Sequence, residues 1–133
     1  MFRLRYLFFL ISITVLGQEF TKKDSLRGAL LPERVWFDVD YYHLNLDVDP
    51  NAKSISGFND VHFTVLSHSK IMQLDLFEHM IIDSVVYLNE TCTFFREYDS
   101  FFIKFPQTFQ VGTRHKVRVY YHGSPIEAKN PPW

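Results

Sequence analysis

Six histidines, four clustered aspartates and a single cysteine are the side chains of this sequence best suited to chemistry. The histidines are His43, His62, His68, His79, His115 and His122. A zinc site on a helix needs two imidazoles at i and i+4, as in H-E-x-x-H, so that both reach one ion. No pair has that spacing. In "FEHM", Glu78 precedes His79 with no second imidazole to follow. His43, His62 and His115 fall in strand-like segments and His68 in a turn, so they read as hydrogen-bonded or solvent-facing rings. Asp38, Asp40, Asp47 and Asp49 lie within twelve residues, and calcium favours several oxygens. Alternation divides them between strand faces and a turn, without EF-hand spacing, which predicts a solvated acidic edge. No G-x-S-x-G elbow occurs, and Cys92 has no nucleophile signature around it. As the only cysteine, it cannot form an internal disulfide, and it reads as a small hydrophobe buried in a strand. Asn89-Glu90-Thr91 has the form of an N-glycosylation sequon. These residues assign no catalytic, metal-binding or substrate-binding role.

The elements that would hold such groups are strands. Residues 1–17 are set apart first. A basic "MFRLR" precedes the apolar run "YLFFLISITVL", and Val15 and Gly17 occupy the −3 and −1 positions of a cleavage site. That is the pattern of a secretory signal peptide. The run is short against the roughly 20 residues of a membrane span, so no stable anchor is expected after cleavage. Loss of Arg3 and Arg5 takes the formal charge from -1 to -3, a balance that offers nothing to nucleic acid. Residues 18–34 have no steady period, and Pro32 opposes helix, which predicts an extended lead-in.

From Tyr42 the alternation is regular. Tyr42, Leu44, Leu46 and Val48 share one face, which predicts a half-buried strand. Asp49-Pro50-Asn51 supplies a turn. In "ISGFNDVHFTVL", Val61, Phe63 and Val65 oppose Asp60, His62 and Thr64, and Gly57 marks a bulge or a close backbone approach. "IMQLDL" turns Met72, Leu74 and Leu76 inward. "IIDSVVYL" is a fourth strand with "NET" as its turn, although Phe77–Met80 before it could form one helical turn. "CTFFREY" and "FFIKF" meet at Asp99-Ser100. "PQTFQVGT" is a loop, and "RHKVRVYYHG" sets Val117, Val119 and Tyr121 against Lys116, Arg118 and Tyr120. About seven short strands with no long amphipathic helix predict an all-β antiparallel sandwich or saddle-shaped curved sheet. With 47% hydrophobic residues, disorder is excluded.

Two features suggest a surface that needs covering. Phe94-Phe95 and Phe101-Phe102 are adjacent pairs, so each strand carries rings on both faces, and a sheet apolar on both faces must be covered twice. The sequence also closes on Pro131, Pro132 and Trp133, a stiff apolar group suited to packing.

"RVWFDVDYYHLNLDVDPNAKSISGFNDVHFTV" resembles the opening of the zinc aminopeptidases of the aminopeptidase N and leukotriene A4 hydrolase type, peptidase family M1. The resemblance rests on Phe37-Asp38-Val39, on Tyr42-x-Leu44-x-Leu46 and on Ile55-x-Gly57. It continues through Leu74-Asp75-Leu76, Gly123-x-Pro125 and the Pro-Pro-Trp, and covers Leu31 to Trp133. It implies that residues 35–133 are an N-terminal β domain, incomplete at its C-terminal end. Such a domain leans on a thermolysin-like catalytic domain and roofs its cleft. The partner implied is that missing catalytic domain of the same polypeptide, met in part by Pro131, Pro132 and Trp133. Zinc is expected only in the full-length enzyme, with no cofactor in this chain, because the family's Gly-x-Met-Glu-Asn and H-E-x-x-H motifs are absent from the sequence. The expected location is secreted or periplasmic. A different reading, a free-standing secreted β-sandwich module that binds sugar or protein, rests on the aromatic content. It would place ligand stacking on Phe101 or Phe102.

Overall fold

A computed structural model describes residues 20–127. The element order is α1 (Lys22–Gly28), α2 (Pro32–Val35), β1 (Phe37–Asp49), β2 (Ser54–Val65), β3 (Ile71–Asp75), β4 (Met80–Tyr87), β5 (Glu90–Thr91), β6 (Thr93–Glu97), β7 (Ser100–Lys104) and β8 (Arg114–Gly123). The strands form a five-stranded sheet, β1-β2-β8-β4-β5, and a three-stranded sheet, β3-β7-β6. Every pairing is antiparallel. The all-β antiparallel sandwich is therefore the fold, and the short β5 is the element that seven expected strands left out.

The alternating residues explain the core. Val61, Phe63 and Val65 of β2 lie beside Val117, Val119 and Tyr121 of β8 and Ile82 and Val85 of β4, all buried. From the small sheet, Met72, Phe101 and Ile103 close over them. Trp36, 1% exposed, is the largest buried side chain among the described residues. Its indole N–H donates to the Ile71 carbonyl at 2.7 Å, and its ring stacks on Phe109 at 5.4 Å. The indole thus joins the start of β1 to the start of β3 through apolar area and one satisfied polar group. Cys92 is buried beside this core, and burial pushes its thiol pKa up, which keeps the sulfur an unreactive thiol.

The lead-in differs from expectation. Thr21 and Asp24 form a reciprocal capping box that satisfies the first free N–H groups, so residues 22–28 are helical. Pro32 does not prevent a second helix, because it occupies the first turn, where its missing N–H costs nothing. Helix α1 also answers the doubly apolar strands. Gln73, Phe102 and Phe95 share the outer face of the small sheet. Gln73 Nε2 donates to the Leu26 carbonyl at 3.0 Å, and Leu26 itself is buried. The lead-in covers part of that face, while Phe95 remains 43% exposed. Lys22 pairs with Glu97, and Lys23 lies 3.6 Å from Asp99, fixing the helix to the β6–β7 turn.

Turn chemistry sets the hairpins. Asp49 Oδ1 accepts the Asn51 and Ala52 N–H groups at 2.9 Å each, an Asx turn as the sequence predicts. The β4–β5 turn falls on Leu88 and Asn89, whose φ values of 51° and 65° suit a two-residue hairpin. Glu90 and Thr91 then pair back to Tyr87 and Val86. The "NET" turn is thus one residue earlier than expected. Phe77–Met80 makes a single turn bond, Met80 N to Phe77 O at 2.8 Å, and no helix.

Candidate functional site

The two sheets differ in length, and that difference creates the site. Strand β1 has 13 residues and β2 has 12, whereas β3, β6 and β7 have five each. At about 3.4 Å per residue, five residues cover roughly 17 Å of a strand about 44 Å long. Phe37 and Val39 lie under the small sheet and pack on the core. The register then shifts between Val39 and Tyr41. Beyond this bulge, Tyr42, Leu44, Leu46 and Val48 stand on the same inner face, opposite Val61, Asn59, Gly57 and Ile55. They are between 45% and 58% exposed. The half-buried strand expected from its alternation is instead uncovered along this stretch, because the small sheet ends too soon.

Where the small sheet stops, a groove of about 620 Å³ opens between Tyr42 and Leu44 on one wall and Leu74 and Leu76 on the other. Among the described residues, three buried polar atoms have no hydrogen-bond partner: Arg34 Nε, Asn59 Oδ1 and Gln73 Oε1. All three residues line this groove. A buried unsatisfied group costs about 1–3 kcal/mol. Asn59 lies on the inner face opposite Leu44, whereas Gln73, 1% exposed, belongs to the outer face of the small sheet beneath α1.

Asp75 holds one rim in place. It accepts Arg34 Nη2 on both oxygens, at 2.7 and 2.6 Å, and the Ser100 hydroxyl at 2.8 Å. Arg34 Nη2 also donates to the Leu26 carbonyl at 2.7 Å. The Leu74-Asp75-Leu76 motif therefore has two jobs: its leucines line the groove, and its aspartate ties both helices to the sandwich.

Gly57 of β2 and Gly123 of β8 mark two close backbone approaches in the large sheet. Gly57 has φ +148°, and a Cβ there would lie 2.0 Å from the Asn45 carbonyl oxygen. Gly123 has φ +155°, with the His79 carbonyl oxygen 2.8 Å from its would-be Cβ. The close approach expected at Gly57 is present. Pro125 lies beside Val48 and Ile55 at the far end of the face. Asp38 is exposed on the opposite face, paired in register with Thr64. Pro131, Pro132 and Trp133 lie outside the described residues, as do residues 1–17.

The opposite face of the large sheet is polar and internally satisfied. Asp60, 2% exposed, accepts Arg118 Nε at 2.6 Å and Nη2 at 2.8 Å. Lys116 Nζ is 3.4 Å away and His43 Nδ1 is 3.6 Å away. The Arg118 guanidinium lies 3.8 Å over the Phe58 ring, a cation–π contact. Its hydrogen bonds outweigh burial and hold the Asp60 carboxyl pKa at about 2. Since the folded state is the stronger acid, this stabilisation is complete above about pH 4 and is lost as pH falls through 2. Urea unfolding should show about 2 kcal/mol of stability lost over that range through this group. Asp60→Asn should flatten that acid limb, and an unchanged limb would refute the assignment.

The remaining histidines are also accounted for. His62 stacks on Tyr41 at 4.1 Å, His68 Nδ1 bonds the Phe109 carbonyl at 3.0 Å, and His79 stacks on Phe77. His122 Nδ1 is 2.7 Å from Asp83. His115 bonds Tyr87 and Thr113 at 2.9 and 2.8 Å, and burial lowers its pKa. Among the described residues, no three His, Cys, Asp or Glu side chains group as a metal site. No described helix is long and apolar enough to cross a membrane.

No protein-family model matches the sequence, and no curated protein does. Solved structures do. The M1 zinc metallopeptidase of Deinococcus radiodurans superimposes with a TM-score of 0.63 at 19% identity, over 71% of this chain and 22% of that one. A two-domain M1 zinc metallopeptidase mutant bound to L-arginine gives 0.61 at 20% identity, over 72% and 22%. Native yeast LTA4 hydrolase gives 0.56 at 18% identity, over 67% and 15%. This chain has a fold found in M1 zinc metallopeptidases. It corresponds to less than a quarter of each of those chains. The M1 fold places the resembling motifs coherently: Tyr42, Leu44, Leu46, Gly57, Leu74 and Leu76 all belong to one inner surface.

Sequence reasoning found the apolar residues of this surface but not its unpartnered polar atoms. Asn59 and Gln73 look like ordinary strand polars, and only their burial without a full set of partners makes them conspicuous. It also misjudged the phenylalanines. Phe101 and Phe102 are buried, and Phe102 stacks on Phe95 at 4.7 Å. Neither ring is free to stack on a sugar.

Proposed function

We propose that this chain is the noncatalytic N-terminal β domain of an exported zinc-dependent aminopeptidase. Its uncovered inner face lies against the catalytic part and helps wall the cleft. One observation carries the reading: an apolar strip beside the unpartnered Arg34 Nε and Asn59 Oδ1, in a fold that accounts for only a fraction of each M1 structure. Apolar patches rimmed by polar groups mark interfaces. The catalytic part would supply hydrogen bonds to Arg34 and Asn59 as well as apolar cover. Zinc, when bound in such an enzyme, polarises the scissile carbonyl and lowers the pKa of its bound water. The described residues of this chain offer it no ligand set, so their contribution is shape and support. Export by residues 1–17, to a secreted or periplasmic location, belongs to the same proposal.

The test is direct. The purified chain, supplied with zinc and an aminoacyl anilide, should show no turnover above the buffer rate. Robust zinc-dependent hydrolysis that chelation removes would overturn the noncatalytic role.

A further inference from the structure

The β4–β5 hairpin carries a feature that the docking role leaves unused. Its two turn residues are Leu88 and Asn89, and Asn89 opens the triplet Asn89-Glu90-Thr91, the one Asn-x-Ser/Thr sequence without proline in the chain. All four residues from Leu88 to Thr91 are exposed, Leu88 to 72%. A glycan needs an asparagine that can be reached in an extended or turn segment and can then point into solvent. A hairpin tip meets both needs. The position also avoids the proposed interface. In the order β1-β2-β8-β4-β5, four strand spacings separate β1 from β5, about 19 Å at 4.8 Å each. Asn89 borders an open groove with Tyr41, His62 and Lys116. Tyr41 and His62 are paired in register on the face opposite Tyr42 and Leu44. A bulky sugar at Asn89 would leave the apolar inner face free.

We propose that Asn89 is an N-glycosylation site of the exported chain. The donor is a lipid-diphosphate-linked oligosaccharide. The Asn89 amide nitrogen forms a bond to C1 of the reducing-end sugar. The C1–O bond to the diphosphate breaks, the diphosphate leaves with the electron pair, and the amide gives up one proton. Nothing is oxidised or reduced. The Thr91 hydroxyl, two residues on, is the recognition group of the triplet. The attached sugar would also cover Leu88 and the short β5 edge, a place where a sheet is open to pairing with other chains.

This site rests on export but not on the docking role. The experiment is secretion of the full chain, under its own N-terminal residues, from a eukaryotic host. Intact mass is measured before and after treatment with a peptide-N-glycosidase. One glycan is expected, and its removal should convert Asn89 to Asp. Asn89→Gln and Thr91→Ala should each abolish it, whereas Thr91→Ser should retain it at lower occupancy. Unmodified protein in the medium overturns the site while leaving export intact. Protein retained unmodified in the cytosol overturns both. A glycan that survives Thr91→Ala also refutes the assignment.

Discussion

Gly57→Ala is expected to cost more than 3 kcal/mol and to leave little folded protein at 37 °C. The reason is backbone, not side chain. The new Cβ would lie 2.0 Å from the Asn45 carbonyl oxygen and 3.1 Å from the Leu46 Cα. Neither atom can swing aside as a side chain would, because β1 and β2 are paired on both sides of this point, Asn45 to Phe58 and Asp47 to Ser56. The φ of +148° is itself strained for any residue with a Cβ. Relief would require β1 to separate from β2, which would dismantle the inner face that Leu44 and Leu46 occupy. Circular dichroism and a urea titration beside the parent chain provide the measurement. A variant within 1 kcal/mol of the parent would show that the close approach is not required.

Leu44→Lys with Leu46→Lys should have the opposite character: little loss of stability and a large loss of surface behaviour. Both leucines are about half exposed and sit beyond the reach of the small sheet, so the exchange should stay within about 0.5 kcal/mol of the parent. The parent chain should bind a hydrophobic dye or self-associate, because Tyr42, Leu44, Leu46 and Val48 form one continuous apolar row. Two ammonium groups in the middle of that row should abolish the dye signal and return the chain to a monomer. A monomeric, dye-silent parent would count against an interface on this face. Because unfolding is held nearly constant, the readout reports the surface and not the core.

How much of this was legible beforehand depended on the range of the interaction. Val61, Phe63 and Val65 were placed in the core by period alone, as were Val117, Val119 and Tyr121, since a strand with one buried face must alternate. Gly57 was marked as a close approach for an equally local reason. The helices at Lys22–Gly28 and Pro32–Val35 were missed because their signals are brief: one capping box, and a proline at a position where it favours helix. The pairing of Asp60 with Arg118 was hidden although both lay on polar faces, because residues 58 apart meet only once β2 pairs with β8.

The sequence by itself therefore determined the strand class, the inner and outer faces, the main turns and the likeness to M1 peptidases. The strand class, faces and turns follow from side-chain period and turn chemistry, which act over a few residues; the likeness rests on the resemblance of ordered motifs. Only the tertiary structure decided which apolar residues are covered. Leu44 and Val65 follow the same alternating pattern, yet one is about half exposed and the other is buried. The difference is that a five-residue strand cannot roof a thirteen-residue one. Burial is a property of what lies opposite, and period cannot encode it.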